Sequence, residues 1–204
     1  MVEFASILET GEYRWPQKGD QLLRPASSRF DGARFADDEI ARHSFMWNGY
    51  MKAAGLLVDH CKVKDTDRHG LVYVILFNYR HGLKIAIKWI LDHYGSYAGI
   101  ANYKKDHDLN GLWKLCRETI ISIGGLGDQI SLEAVDSIVD EFHSIDASSF
   151  SFRYATSKAG NLVPLPDLSI DLENLKDVME GVNGFFIEAD GQLDHITSAI
   201  PTDF

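Results

Sequence analysis

Apolar positions recur at helical spacing in five stretches of this chain, and the longest is Leu71–Tyr94. It opens with seven apolar residues, Leu71 to Phe77, then admits Asn78, Arg80, His81, Lys84 and Lys88 among further apolar positions. Wound as an α-helix, it puts Val72, Ile75, Leu76, Tyr79, Leu83, Ala86, Ile87 and Ile90 on one side, the spacing of a buried face. Asn78, His81, Lys84 and Lys88 follow one another by three, three and four, forming one polar stripe with Arg80 one step around the cylinder. The pattern predicts a central bundle helix with a cationic edge. Its length would also suit a membrane span. Each charged group near the middle would then cost about 2.5–3.5 kcal/mol on insertion scales, so that reading is excluded.

Four further helices follow from the same reasoning. Asp37 or Asp38 caps the first, which carries Ile40, Trp47, Tyr50, Met51, Ala54, Leu57, Val58 and Cys61 on one face, with Arg42, His43 and His60 on or beside it. The charged run Lys62–His69 is a short loop that makes this helix and the central one antiparallel neighbours. A third helix starts near Asp106–Asp108 and runs through Leu109, Leu112, Trp113, Leu115, Cys116 and Ile120. Gly111 within it points to a close approach, and Gly124, Gly125 and Gly127 stop it. Ser131 caps a fourth, with Leu132, Val135, Ile138, Val139 and Phe142 inward. Asp171 caps a fifth, with Leu172, Leu175, Val178, Met179, Val182 and Phe186 inward, and the tail after Gly191 reads as peripheral. Between the last two, Phe150, Phe152 and Tyr154 alternate with Ser151, Arg153 and Ala155. With a turn at Lys158–Asn161 and a return at Leu162–Leu165, they predict a small β-hairpin. The expected architecture is mainly all-α, an up-and-down bundle of about five helices with that hairpin inserted. Residues 1–36, with Pro16, Pro25 and three glycines, form an irregular extension that Tyr13, Trp15 and Phe30 are expected to anchor, and 37–204 the helical domain.

Composition narrows the class. The chain has 204 residues, 45% hydrophobic and 25% charged, as in an ordinary globular protein. Cys61 and Cys116 stand in no Cys-x-x-Cys arrangement, which fits two small buried residues in a reducing cytoplasm. Met1–Leu8 lacks the basic start and apolar core of a signal peptide, so a cytoplasmic protein is expected. The net charge of −10 is uneven: residues 131–204 hold 14 acids against 3 bases, whereas Lys52–Arg117 holds 11 bases against 6 acids. Acidity argues against non-specific duplex binding and leaves room for a local basic groove. No phosphate-loop Gly-x-x-x-x-Gly-Lys, no Gly-x-Ser-x-Gly elbow and no His-Glu-x-x-His pair occurs. Asp136, Asp140 and Glu141 share a helix, where a solvated acidic face is commoner than a divalent-ion site. No metal or cofactor is expected.

Four segments stand out together: Tyr79-Arg-His-Gly-Leu-Lys-Ile-Ala-Ile-Lys88, His107-Asp-Leu-Asn-Gly-Leu-Trp113, Asp140-Glu-Phe-His-Ser-Ile-Asp146 and Phe152-Arg-Tyr-Ala155. Their order and spacing over roughly residues 37–189 resemble a bacterial group of HEPN-like helical proteins. The resemblance implies a helix bundle, homodimerisation, and a link to RNA, toxins or anti-phage defence, with metal-independent ribonucleases in the wider superfamily. The ribonuclease signature itself, an Arg followed after four to six residues by a His, is absent at Arg80, Arg117 and Arg153.

Cleavage of RNA without metal needs a base near the 2′-hydroxyl and cations for the phosphate charge of the transition state. The motif residues fitted for this are Arg80, His81, His107 and Arg153 as catalytic candidates, with Asn78, Lys84 and Lys88 as phosphate binders. Simpler roles remain open for each. The Asn78–Lys88 stripe also reads as a solvated helix face, and His107 as a plain helix start. Arg153 also reads as a brace paired with Asp140, Glu141 or Asp146. Two functions follow: a HEPN-like protein acting on or binding RNA or nucleotide, or a non-catalytic helical protein–protein interaction module.

Overall fold

The structure, a computed structural model, describes residues 15–125, 129–147 and 149–200. The chain divides into two units, Met1–Phe35 and Ala36–Phe204. The described part of the first is turns and irregular backbone. Trp15 and Phe30 are 82% and 84% exposed there, so neither is the buried anchor expected of it, and Tyr13 lies outside the described residues.

The second unit contains five α-helices among the described residues: α1 (Glu39–Val63), α2 (Arg68–Tyr94), α3 (Leu109–Ile123), α4 (Gln129–Ile145) and α5 (Leu172–Ser198). Among these residues no helix is long and apolar enough to cross a membrane. Helix α2 is the centre of the bundle, packing against α1, α3 and α5. Seven of its eight expected core residues are buried, and Val72 is partly so. Helices α1 and α2 run antiparallel: His43 meets Ile85, Tyr50 meets His81, and Arg68 reaches the Cys61 carbonyl. On α1 the Trp47, Met51, Ala54, Val58 and Cys61 side chains are buried, while Ile40 is exposed. Both cysteines are buried and unpaired.

Capping sets the helix starts. Asp38 accepts the Ala41 N–H at 2.7 Å, and Asp171 accepts those of Glu173 and Asn174 at 3.0 and 3.1 Å. Asp108 accepts the Gly111 N–H at 3.2 Å, and a Cβ on Gly111 would stand 2.6 Å from its other carboxylate oxygen, so the close approach at Gly111 is to its own cap. Gly124, at φ +86°, ends α3 by donating to the Ile120 and Ile121 carbonyls. Gly127 lies outside the described residues.

Three expectations require correction. Helix α4 begins at Gln129, so Ser131 stands within its first turn and is not its cap. Helix α5 runs past Gly191 to Ser198, and Leu193 and Thr197 are buried. They extend the inward series of Phe186 and Ala189 at spacings of three and four, and this outweighs one helical glycine of about 1 kcal/mol. The β-hairpin does not form. Asp146 turns the chain instead: its Oδ1 accepts the Phe150 and Ser151 N–H groups at 2.6 and 2.9 Å. The Phe150 carbonyl then accepts from Arg153 and Tyr154, which stacks the Phe150 and Tyr154 rings 4.5 Å apart, a spacing no extended strand allows at four residues. The expected turn at Lys158–Asn161 is present, with Gly160 at φ +80°, but it closes only a single antiparallel bridge, Thr156 to Leu162.

Candidate functional site

The cationic edge of α2 is covered, not solvated. Arg80 and Lys84 are 1% and 6% exposed, and Asn78, His81 and Lys88 are partly buried. The start of α3 and the loop after α4 provide the cover. Arg80 donates from Nη2 to the His107 carbonyl at 3.4 Å, and its Nε lies 3.5 Å from Asp146 Oδ2, with Asp146 itself 1% exposed. One guanidinium therefore ties α2 to the entry of α3 and the exit of α4. The contact to Asp146 is an ion pair without hydrogen-bond geometry, and Arg80 Nε and Nη1 have no hydrogen-bond partner among the described residues.

Lys84 stands one turn further on. Its Nζ lies 3.3 Å from His107 Nδ1, and among the described residues no carboxylate comes within 4.0 Å of it. An ammonium is only a donor, so a charged Lys84 donates to Nδ1 and leaves the His107 proton on Nε2. Burial, then the charges of Lys88, Arg80 and Arg153, pulls Lys84 down to about 8 against the opposing pull of Asp146. His107 is itself exposed and is lowered from the usual histidine range, first by the Lys84 charge and then by burial. Lys88 is lowered by burial, with Asp92 opposing.

His81 lies in an aromatic clasp, stacked on Phe77 at 5.4 Å and edge-on to Tyr50 at 4.4 Å. Burial, reinforced by Lys84, Arg80, Arg153 and His107, holds it down at about 4. It is neutral at pH 7 and a weak base.

Arg153 is exposed, so it is not a stranded buried charge, and among the described residues no acid pairs with it. It braces the loop differently from expectation: Nε donates to the Ser149 carbonyl at 2.7 Å, and Nη2 donates to the same oxygen. Ser149 is buried at φ +60°, a conformation costly for a residue with a side chain, and these bonds hold it there. The Arg153 guanidinium also lies 6.0 Å from the Phe77 ring and 5.5 Å from that of Tyr154.

The structure thus brings Arg80, His81, Lys84, His107 and Arg153 together at the middle of α2, with Lys88 one turn further along, and among the described residues no contact joins Asn78 to the group. Sequence reasoning offered Asp146, alongside Asp140 and Glu141, as a partner for Arg153, whereas Asp146 serves Arg80. It missed the rings of Tyr50 and Phe77 and the strained Ser149. The motif Asp140–Asp146 was the available signal for Asp146, and nothing in the spacing marked the other three. Elsewhere, Asp136 accepts from Trp113 Nε1 at 2.6 Å, Asp140 accepts from Asn110 at 2.9 Å, and among the described residues no group of three metal-ligating side chains occurs. Comparison of the chain with protein-family models, curated proteins and solved structures found no match.

Proposed function

We propose that this is a HEPN-like protein that binds RNA or nucleotide through phosphate, at the cluster of Arg80, Lys84, Lys88 and Arg153. One observation carries the reading: Lys84 is almost wholly buried, and among the described residues it has no carboxylate partner and meets the ring of His107, a histidine that its own charge helps keep neutral. A buried cation without a counter-ion costs several kcal/mol, and a phosphate oxygen would offset that cost. Arg153 is exposed beside it and supplies a planar fork. Neutral His81 and His107 leave the cationic charge uncompensated without adding to it.

Binding is favoured over cleavage. His81 is a weak base at about 4, and His107 carries its proton on Nε2 when Lys84 donates to Nδ1, so neither is set up to abstract a 2′-hydroxyl proton. The missing Arg-x4–6-His signature agrees with this. The resemblance adds homodimerisation and a toxin or anti-phage setting to the proposal. A second reading, a non-catalytic interaction module, draws on Arg80 and Asp146, whose contacts join three elements as a geometry-fixing network would.

Fluorescence anisotropy with a short single-stranded RNA separates the two. The phosphate reading expects binding that weakens with salt, with a log–log slope of about −2 to −3 for three to four contacts, and a loss of at least about tenfold in Lys84→Met. No RNA or mononucleotide binding, or equal affinity in Lys84→Met, leaves the interaction module.

A further inference from the structure

We propose that the cleft between α1 and α5 is a binding site for a neutral nucleobase or nucleoside, held by the Tyr79 hydroxyl and the Asn183 amide. The cleft has a volume of about 340 Å³, at the small end for ligand sites. Two of its lining residues carry a buried polar atom with no partner among the described residues, Tyr79 Oη and Asn183 Oδ1, and Tyr79 is only 2% exposed. Leaving such groups unpaired costs about 1–3 kcal/mol each, so a side chain of this kind beside a cleft points to a ligand that completes it.

The required ligand presents an acceptor to the Tyr79 O–H and a donor to the Asn183 oxygen. The edge of a nucleobase carries donors and acceptors side by side, and so serves the Asn183 amide in either orientation. The walls suit a flat ring, since Met51, Leu56 and Met179 are apolar and two of them carry adaptable thioethers. Charge argues for a neutral molecule. Lys176 is held by both oxygens of Asp59 at 2.8 Å and stands 3.7 Å from Glu180, and Lys52 brings the lining to two bases against two acids. Burial first, then Glu180, Asp59 and Asp177, pushes the Tyr79 phenol up to about 12, so it remains a donor at neutral pH. Gly55 keeps the space open: a Cβ there would stand 3.8 Å from Tyr79 Oη and 3.7 Å from Lys176 Cε. The site uses none of the residues of the cationic cluster, and either holds without the other.

The test is calorimetric titration of the full chain with adenosine, guanosine, cytidine and uridine, each separately. At least one binds with a dissociation constant of about 1 mM or below. Tyr79→Phe weakens it about tenfold, the worth of one hydrogen bond. Gly55→Leu, which favours the helix but fills the cleft, abolishes it. Without ligand, Tyr79→Phe melts no lower than the parent, because the lost hydroxyl had no partner. If no nucleoside binds at about 1 mM, or if Tyr79→Phe binds as the parent does, the site is overturned. Tyr79→Phe keeps the ring and decides alone if Gly55→Leu fails to fold.

Discussion

Replacing Lys84 with methionine is expected to make the protein more stable and less able to hold an anion. Lys84 is 6% exposed and sits among Lys88, Arg80 and Arg153, with burial the first cause of its fall to about 8 from the usual 10.5. At 1.36 kcal/mol per pH unit, this difference opposes folding by about 3 kcal/mol while the lysine is charged in both states. The sign fixes the pH window. Below about pH 8 the penalty is fully present. Between 8 and 10.5 the unfolded chain binds more protons than the folded one, so stability rises and the penalty fades. Methionine has a similar stem and no charge, and loses only the contact to His107. Urea unfolding at pH 7 should therefore show Lys84→Met more stable by about 1–3 kcal/mol, with the advantage shrinking towards pH 10. A variant less stable at pH 7, or a gain that does not change with pH, would refute the reasoning that this lysine is a buried, uncompensated cation.

Three further outcomes follow. Asp146→Ala strands Arg80 and releases the Phe150 and Ser151 N–H groups, and should cost about 3–5 kcal/mol in urea unfolding; a loss below about 1 kcal/mol would remove Asp146 from its structural role. His81 sits at about 4 when folded against 6.5 unfolded, so the parent should lose about 3 kcal/mol as pH falls from 6.5 to 4. His81→Phe keeps the contacts to Tyr50 and Phe77 and should flatten that acid limb, and an unchanged pH–stability curve would contradict the burial of His81. Leu193→Ala should cost about 2–5 kcal/mol by thermal or urea unfolding, since Leu193 lies in the core; a neutral result would return the end of α5 to the periphery.

The bundle was legible because helical spacing and Asp caps are local signals: Asp38, Asp108 and Asp171 each sit one residue before a helix and bond into its first turn. The hairpin was misread because alternation of Phe150, Phe152 and Tyr154 is also what a tight turn over a carboxylate leaves, and the deciding bonds come from Asp146. The end of α5 was misread because a glycine was weighed more heavily than the continuing inward series. At the candidate site, residue types were visible, but partners were not. Which acid neutralises Arg80 depends on where the loop after α4 lands, and a stripe of cations looks the same in sequence whether water or an adjoining loop covers it.

The most direct measurement is the Lys84 side-chain pKa by NMR of the ammonium, first in the free protein and then with saturating single-stranded RNA. The account predicts a value near 8 in the free protein that climbs towards the ordinary 10.5 when phosphate supplies the missing counter-charge. A Lys84 that titrates near 10.5 on its own, or one whose pKa stays at 8 with RNA bound, would contradict it.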